Sequence, residues 1–186
     1  MMEEYIKEIT ENFKNTKVFD EKGKEIELER AFLEVAKKVS KLKSSKHKII
    51  FIGNGGSAAI ASHKALDFWN SAGIKAIAFS DSANLTCMSN DFGYEKVFSK
   101  QIETFAEKGD ILIAISSSGN SKNILLGVKV AKQKGCETIT FSGFKKENSL
   151  KKSGHLNFHT PSCHFNQVEA THLLLLDCIL ELVLKS

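Results

Sequence analysis

The chain holds one proline in 186 residues, four cysteines with no C-x-x-C pair, and no apolar run long enough to cross a bilayer. Each absence removes a class of protein. Without a C-x-x-C pair, nothing marks a zinc ribbon or a dithiol redox motif, and Cys87, Cys136, Cys163 and Cys178 are read as small apolar residues of a reduced, cytoplasmic protein. The start, Met1 to Tyr5, has neither a basic n-region nor an apolar h-region, so no export signal or membrane partner is expected. There is no internal repeat, low-complexity tract or linker. Basic residues exceed acidic ones by only four, and the lysines are spread along helical stretches. They read as solvated faces, so no nucleic-acid partner is expected.

What is present fits one globular domain: 42% hydrophobic and 26% charged residues in a chain long enough to bury a substantial core. The first stretch is polar and helical to about residue 15. Leu28, Phe32, Val35, Val39 and Leu42 then keep a helical spacing, which predicts a helix over 27–44. From Lys48 the texture changes. Short continuous apolar runs at 48–53, 74–80, 110–116 and 137–143, with a weaker one at 156–161, alternate with helical segments at about 56–70, 95–108, 120–134 and 166–185. Continuous apolar runs between amphipathic helices predict a parallel sheet covered on both faces. The expected fold is α/β, three-layer α-β-α, with a five-stranded parallel doubly wound sheet over 27–186. Residues 1–26 are expected as a helical appendage. Ligands in such sheets bind beyond the carboxyl ends of the strands.

Two of those ends are unusual. The first strand runs into Gly53-Asn54-Gly55-Gly56-Ser57, where glycine lets the backbone approach a ligand and the following helix presents free N–H groups. The third runs into Ser116-Ser117-Ser118-Gly119-Asn120-Ser121. Helix capping accounts for one or two of its four hydroxyls, and the rest suit the oxygens of a phosphate. Neither loop has the lysine of a P-loop or the G-x-G-x-x-G spacing of a dinucleotide fold, so no nucleotide cofactor is expected. Side by side, the loops predict a phosphate site.

With Gly53–Ala59, these motifs include Ser-Asn-Asp-Phe-Gly-Tyr-Glu at 89–95, Gly-Asp-Ile-Leu-Ile-Ala-Ile-Ser-Ser-Ser-Gly-Asn-Ser at 109–121, and an apolar C-terminal helix carrying Glu169. In order and spacing the chain resembles the phosphoheptose isomerases over about 27–184. The resemblance implies a flavodoxin-like SIS fold, a homotetramer with shared active sites, and a sugar phosphate held by Asn54, Gly55, Gly56, Ser57, Asn90, Asp91, Ser116, Ser117, Ser118 and Ser121. It also implies a zinc site at His63, Asp67, Glu169 and Asp177, where only His63 keeps the family's residue. The family has Glu, Gln and His at the other three. A carboxylate-rich set of this kind equally suits Mn²⁺ or Mg²⁺.

The chemistry that the resemblance implies is an aldose–ketose isomerisation, which needs a base, a second proton carrier and stabilisation of the enediolate. Asp67 or Glu169 is the expected base, with Asp177 or His172 as its partner. His63 and Asp67, four residues apart, share a helix face and read either as a metal-binding pair or as a surface ion pair. The competing reading is a non-catalytic sugar-phosphate-binding or protein-interaction protein, which the altered Asp177 position permits.

Overall fold

The computed structural model describes residues 2–186. Helix α1 (Met2–Lys14) leads into two short strands, β1 (Lys17–Asp20) and β2 (Glu25–Ile26), and helix α2 (Leu28–Ser40). Then follow β3 (Ile49–Gly53), α3 (Gly56–Asn70), β4 (Ala76–Ala78), α4 (Ser82–Phe92) and α5 (Val97–Phe105). The chain ends with β5 (Ile111–Ser116), α6 (Lys122–Gln133), β6 (Glu137–Ser142), β7 (Leu156–His159) and α7 (Phe165–Leu184).

The apolar runs become the strands because they bury both faces. Alternate side chains point to opposite sides. Ile49, Phe51, Ile111, Ile113 and Ile115 meet α2, α3 and α7, in a core that includes Val35, Phe68 and Leu176. Ile50, Ile52, Leu112 and Ala114 meet α5 and α6 through Phe98, Ile102, Ile124 and Val128. This is the expected three-layer α-β-α arrangement.

The sheet itself departs from expectation. Strands β7, β6, β5, β3 and β4 lie in that order and pair in parallel. The sheet does not stop there: β1 pairs antiparallel with β7, and β2 antiparallel with β1, giving seven strands of mixed direction. The hairpin lies within residues 1–26, which therefore contribute strands to the sheet. Its strands are short and charged, with Val18 its one fully buried residue, so no apolar run announces them. Helix α4 also went unforeseen. It buries none of its residues and so carries little amphipathic signal.

The order of strands places the site. The chain leaves β3 toward β4 on one side, then returns to add β5 on the other. The loops after β3 and β5 therefore diverge above adjacent strand ends, paired from Ile49↔Ile111 to Gly53↔Ile115. This switch point is where open α/β sheets hold ligands.

Candidate active site

Between the two loops lies a cavity of about 70 Å³, lined by Asn54 and Ser57 from the first, Ser116, Ser117, Ser118 and Ser121 from the second, and Ile115, Phe165 and Glu169. Gly55, at φ +55°, caps α3 and turns the chain so that the helix begins at Gly56 with its N-terminus at the loop. The Ser117 hydroxyl is buried and has no protein partner, a donor left over for a ligand. Ser116 Oγ donates to Ser121 Oγ at 3.3 Å, and Ser118 Oγ accepts from the Asn120 N–H at 3.3 Å.

Two residues to which the sequence assigns no role, Asn123 and Tyr94, lock the loops together. Asn54 and Asn123 exchange reciprocal amide bonds of 3.0 and 2.9 Å, tying the loop after β3 to the first turn of α6. Tyr94 donates its hydroxyl to Asn54 Oδ1 at 3.0 Å. Both lie within polar loops or helix starts, where pattern alone assigns no partner.

Glu169 is brought to the cavity by α7. Its carboxylate lies directly over Gly56, so a side chain at that position would displace it. Burial raises the Glu169 pKa. Two turns further, Asp177 reaches Lys64 on α3. The helices therefore run side by side in the same direction, with a carboxylate at each end of the seam.

At the far end, Lys64 is the residue that the sequence reading missed. Its side chain is 2% exposed, and its ammonium donates to Asp67 Oδ2 at 2.5 Å and to Asp177 Oδ1. His63 Nε2 stands 3.4 Å from Asp67 Oδ2 with its ring largely in solvent. A lysine in an otherwise apolar helical stretch reads as a solvated side chain, and only the fold reveals it between two acids.

The other expected residues fall elsewhere. His172 is a correction: it is fully buried, its Nε2–H donates to the Ser142 carbonyl at 3.1 Å, and its ring meets Phe141 edge-on. Burial pushes its pKa down to about 4, against the raising effect of the Ser142 carbonyl and with a further lowering from His159. It faces the core between α7 and the sheet, so it cannot reach a substrate. Asn90 and Asp91 are exposed on α4 and bonded to each other at 2.9 Å, and neither lines the cavity.

The implied metal set does not fit. Among the described residues no three His, Cys, Asp or Glu side chains are grouped to hold an ion. Asp67 and Asp177 are engaged by the Lys64 ammonium, which has no lone pair to offer, and Glu169 stands at the other end of the seam. A wider groove of about 820 Å³ lies between α1 and the start of α7, but Glu8 and Glu11 line it, the wrong sign for an anion. No helix among the described residues is long and apolar enough to cross a membrane.

Comparison with known proteins agrees with this geometry. Residues 4–143 match the SIS domain family. The phosphoheptose isomerase of Thermodesulfovibrio yellowstonii is 39% identical over 81% of this chain and 77% of its own. That of Aliarcobacter butzleri is 37% identical over 87% and 88%. The structure of phosphoheptose isomerase GmhA from Neisseria gonorrhoeae superposes with a TM-score of 0.83 at 27% identity, covering 98% of this chain and 94% of that one. The chain belongs to the SIS domain family and, within it, to the phosphoheptose isomerases.

Proposed function

We propose that the protein is an aldose–ketose isomerase acting on sedoheptulose 7-phosphate, in the cytoplasm, on the route to bacterial heptose and surface polysaccharide. The observation that carries this is the pairing of a hydroxyl-lined cavity at the switch point with a carboxylate pair further along the seam of α3 and α7, Asp67 on one and Asp177 on the other. The phosphate sits between the loops, where the Ser117 hydroxyl lacks a partner and the α3 N-terminus favours an anion. Asn54, Ser57, Ser116, Ser118 and Ser121 complete its cradle. Glu169 stands at the edge of the same cavity, with its pKa raised by burial.

Ten residues of helix separate Ser57 from Asp67, about 15 Å along the axis. Helical side chains lean back toward the N-terminus and shorten that gap. A seven-carbon chain anchored by its terminal phosphate spans it, which brings C1 and C2 to Asp67 and Asp177. Each carboxylate gives one oxygen to Lys64 and keeps the other. Asp67 takes the proton from one carbon as base and returns it to the neighbouring carbon, while Asp177 takes the proton from one hydroxyl and delivers it to the adjacent oxygen.

The active form is proposed as a homotetramer with shared sites. Asn90 and Asp91 sit on α4, which buries nothing within its own chain, so a neighbouring copy is the means by which they meet a substrate. Leu66 and Trp69 on α3 and Leu174 on α7 are exposed apolar groups suited to the contact. Incubation with sedoheptulose 7-phosphate should yield the aldose heptose phosphate, whereas a five-carbon ketose phosphate, too short to reach Asp67, should turn over far more slowly. Binding without conversion of either would favour the non-catalytic reading.

A further inference from the structure

Lys64 is the most buried lysine in the described chain, and its position follows from the seam between α3 and α7. It is buried on α3 along with Ala61, Ala65 and Phe68, and its ammonium lies between Asp67 on its own helix and Asp177 on the other. The Asp67 side chain is 23% exposed and that of Asp177 43%, so the cation forms the floor of the cluster and the acids its rim. A buried ammonium is tolerated only when paired and hydrogen-bonded. Here two of its three protons are placed on carboxylates.

A divalent ion that claimed Asp67 and Asp177 would compete with this ammonium for the same two carboxylates and set a second positive charge beside it, weakening the pairing that its burial requires. The protonated lysine cannot itself join as a ligand. We propose that Lys64 takes the place, in this chain, of the divalent ion that the family resemblance implies, and that it positions Asp67 and Asp177 for proton transfer without metal. Lys64 is thus a positioning residue: its ammonium belongs to the chain and needs no loading. The changes at 67 and 177 belong together with it, since two anions rather than a neutral imidazole and one acid are what a single buried cation requires. The catalytic half of this inference rests on the isomerase reading; the exclusion of the ion from Asp67 and Asp177 does not.

The test has two arms. In the first, chelator-treated protein is titrated with Mn²⁺ by calorimetry, with no substrate present. Wild type should show no saturable one-to-one binding, while Lys64→Met, which frees both acids beside His63, should gain one Mn²⁺ site that a further Asp67→Asn change removes. Stoichiometric binding by wild type that is lost in Asp67→Asn overturns the proposal, and needs no variant of Lys64 to fold. In the second arm, turnover is measured with chelator and with added Mn²⁺. Wild type should be equally active in both, and Lys64→Met should lose about a hundredfold in kcat with little change in KM, the scale of a misplaced catalytic group. Lys64→Arg should recover part of it. Full kcat in a folded Lys64→Met protein, or wild-type activity that requires the ion, contradicts the proposal. A chain that isomerises nothing defeats the functional reading, and the Mn²⁺ titration then still decides the first half.

Discussion

At the scale of single residues, the candidate site is defined by which polar atoms have partners and which do not. Ser117 is buried with an unpaired hydroxyl, while its neighbours Ser116 and Ser118 are engaged within the loop. Ser117→Ala should therefore weaken binding of a sugar phosphate by roughly 1.5–3 kcal/mol, the value of a hydrogen bond to a charged group. Free sugar should bind poorly to either protein. Calorimetric titration with both ligands checks this, and equal affinities for the two would remove the phosphate site. His172 leads to a different expectation. Burial lowers its pKa from an ordinary 6.5 to about 4, and burial with the nearby Lys151 does the same for His159. Between those values the unfolded chain binds protons that the folded chain refuses. Stability is thus fully present above pH 6.5 and falls as the pH drops toward 4, by roughly 3 kcal/mol for His172. Thermal denaturation across that range should show the decline, and His172→Gln should flatten the part that His159 does not supply.

At the scale of elements, the reciprocal amides of Asn54 and Asn123 join the loop after β3 to α6, tying together the two loops proposed to hold the phosphate. Asn123 does not line the cavity. Asn123→Ala should nonetheless lower sugar-phosphate affinity, and a cycle with Asn54→Ala should be non-additive by about 0.5–3 kcal/mol, as for residues sharing one network. Additive losses would mean the loops act separately. The elements also show what a sequence can reveal. The five parallel strands and the helices between them were legible because they bury both faces or one stripe, and the Gly53–Ser57 and Ser116–Ser121 loops because their composition exceeds what capping requires. The β1–β2 hairpin and α4 were not, since charged short strands and an unburied helix leave no periodic trace. Lys64, Tyr94 and Asn123 were illegible for a related reason: each draws its meaning from a partner distant in sequence, Asp177 at 113 positions from Lys64, Asn54 at 40 from Tyr94 and 69 from Asn123. His172 misled because helical spacing from Glu169 put it near that side chain, while packing against Phe141 turned it into the core.

At the scale of the whole molecule, a single chain leaves Leu66, Trp69 and Leu174 in solvent and keeps Asn90 and Asp91 away from the cavity. Assembly should cover the first set and complete the second. Light scattering at micromolar concentration should give a tetramer. Trp69 is the only tryptophan and is 52% exposed in the isolated chain, so its fluorescence should be that of a buried indole if α3 lies in the contact. A monomer with solvent-like emission would exclude shared sites. Isomerisation through an enediolate leaves a mark that no binding protein can imitate. The decisive measurement is the proton spectrum of sedoheptulose 7-phosphate recovered from D₂O after incubation with wild type and with Asp67→Asn. The account predicts deuterium at C1 or C2 with wild type, and none with Asp67→Asn although that variant still binds the sugar phosphate. No deuterium with wild type, whether or not a divalent ion is supplied, would contradict it.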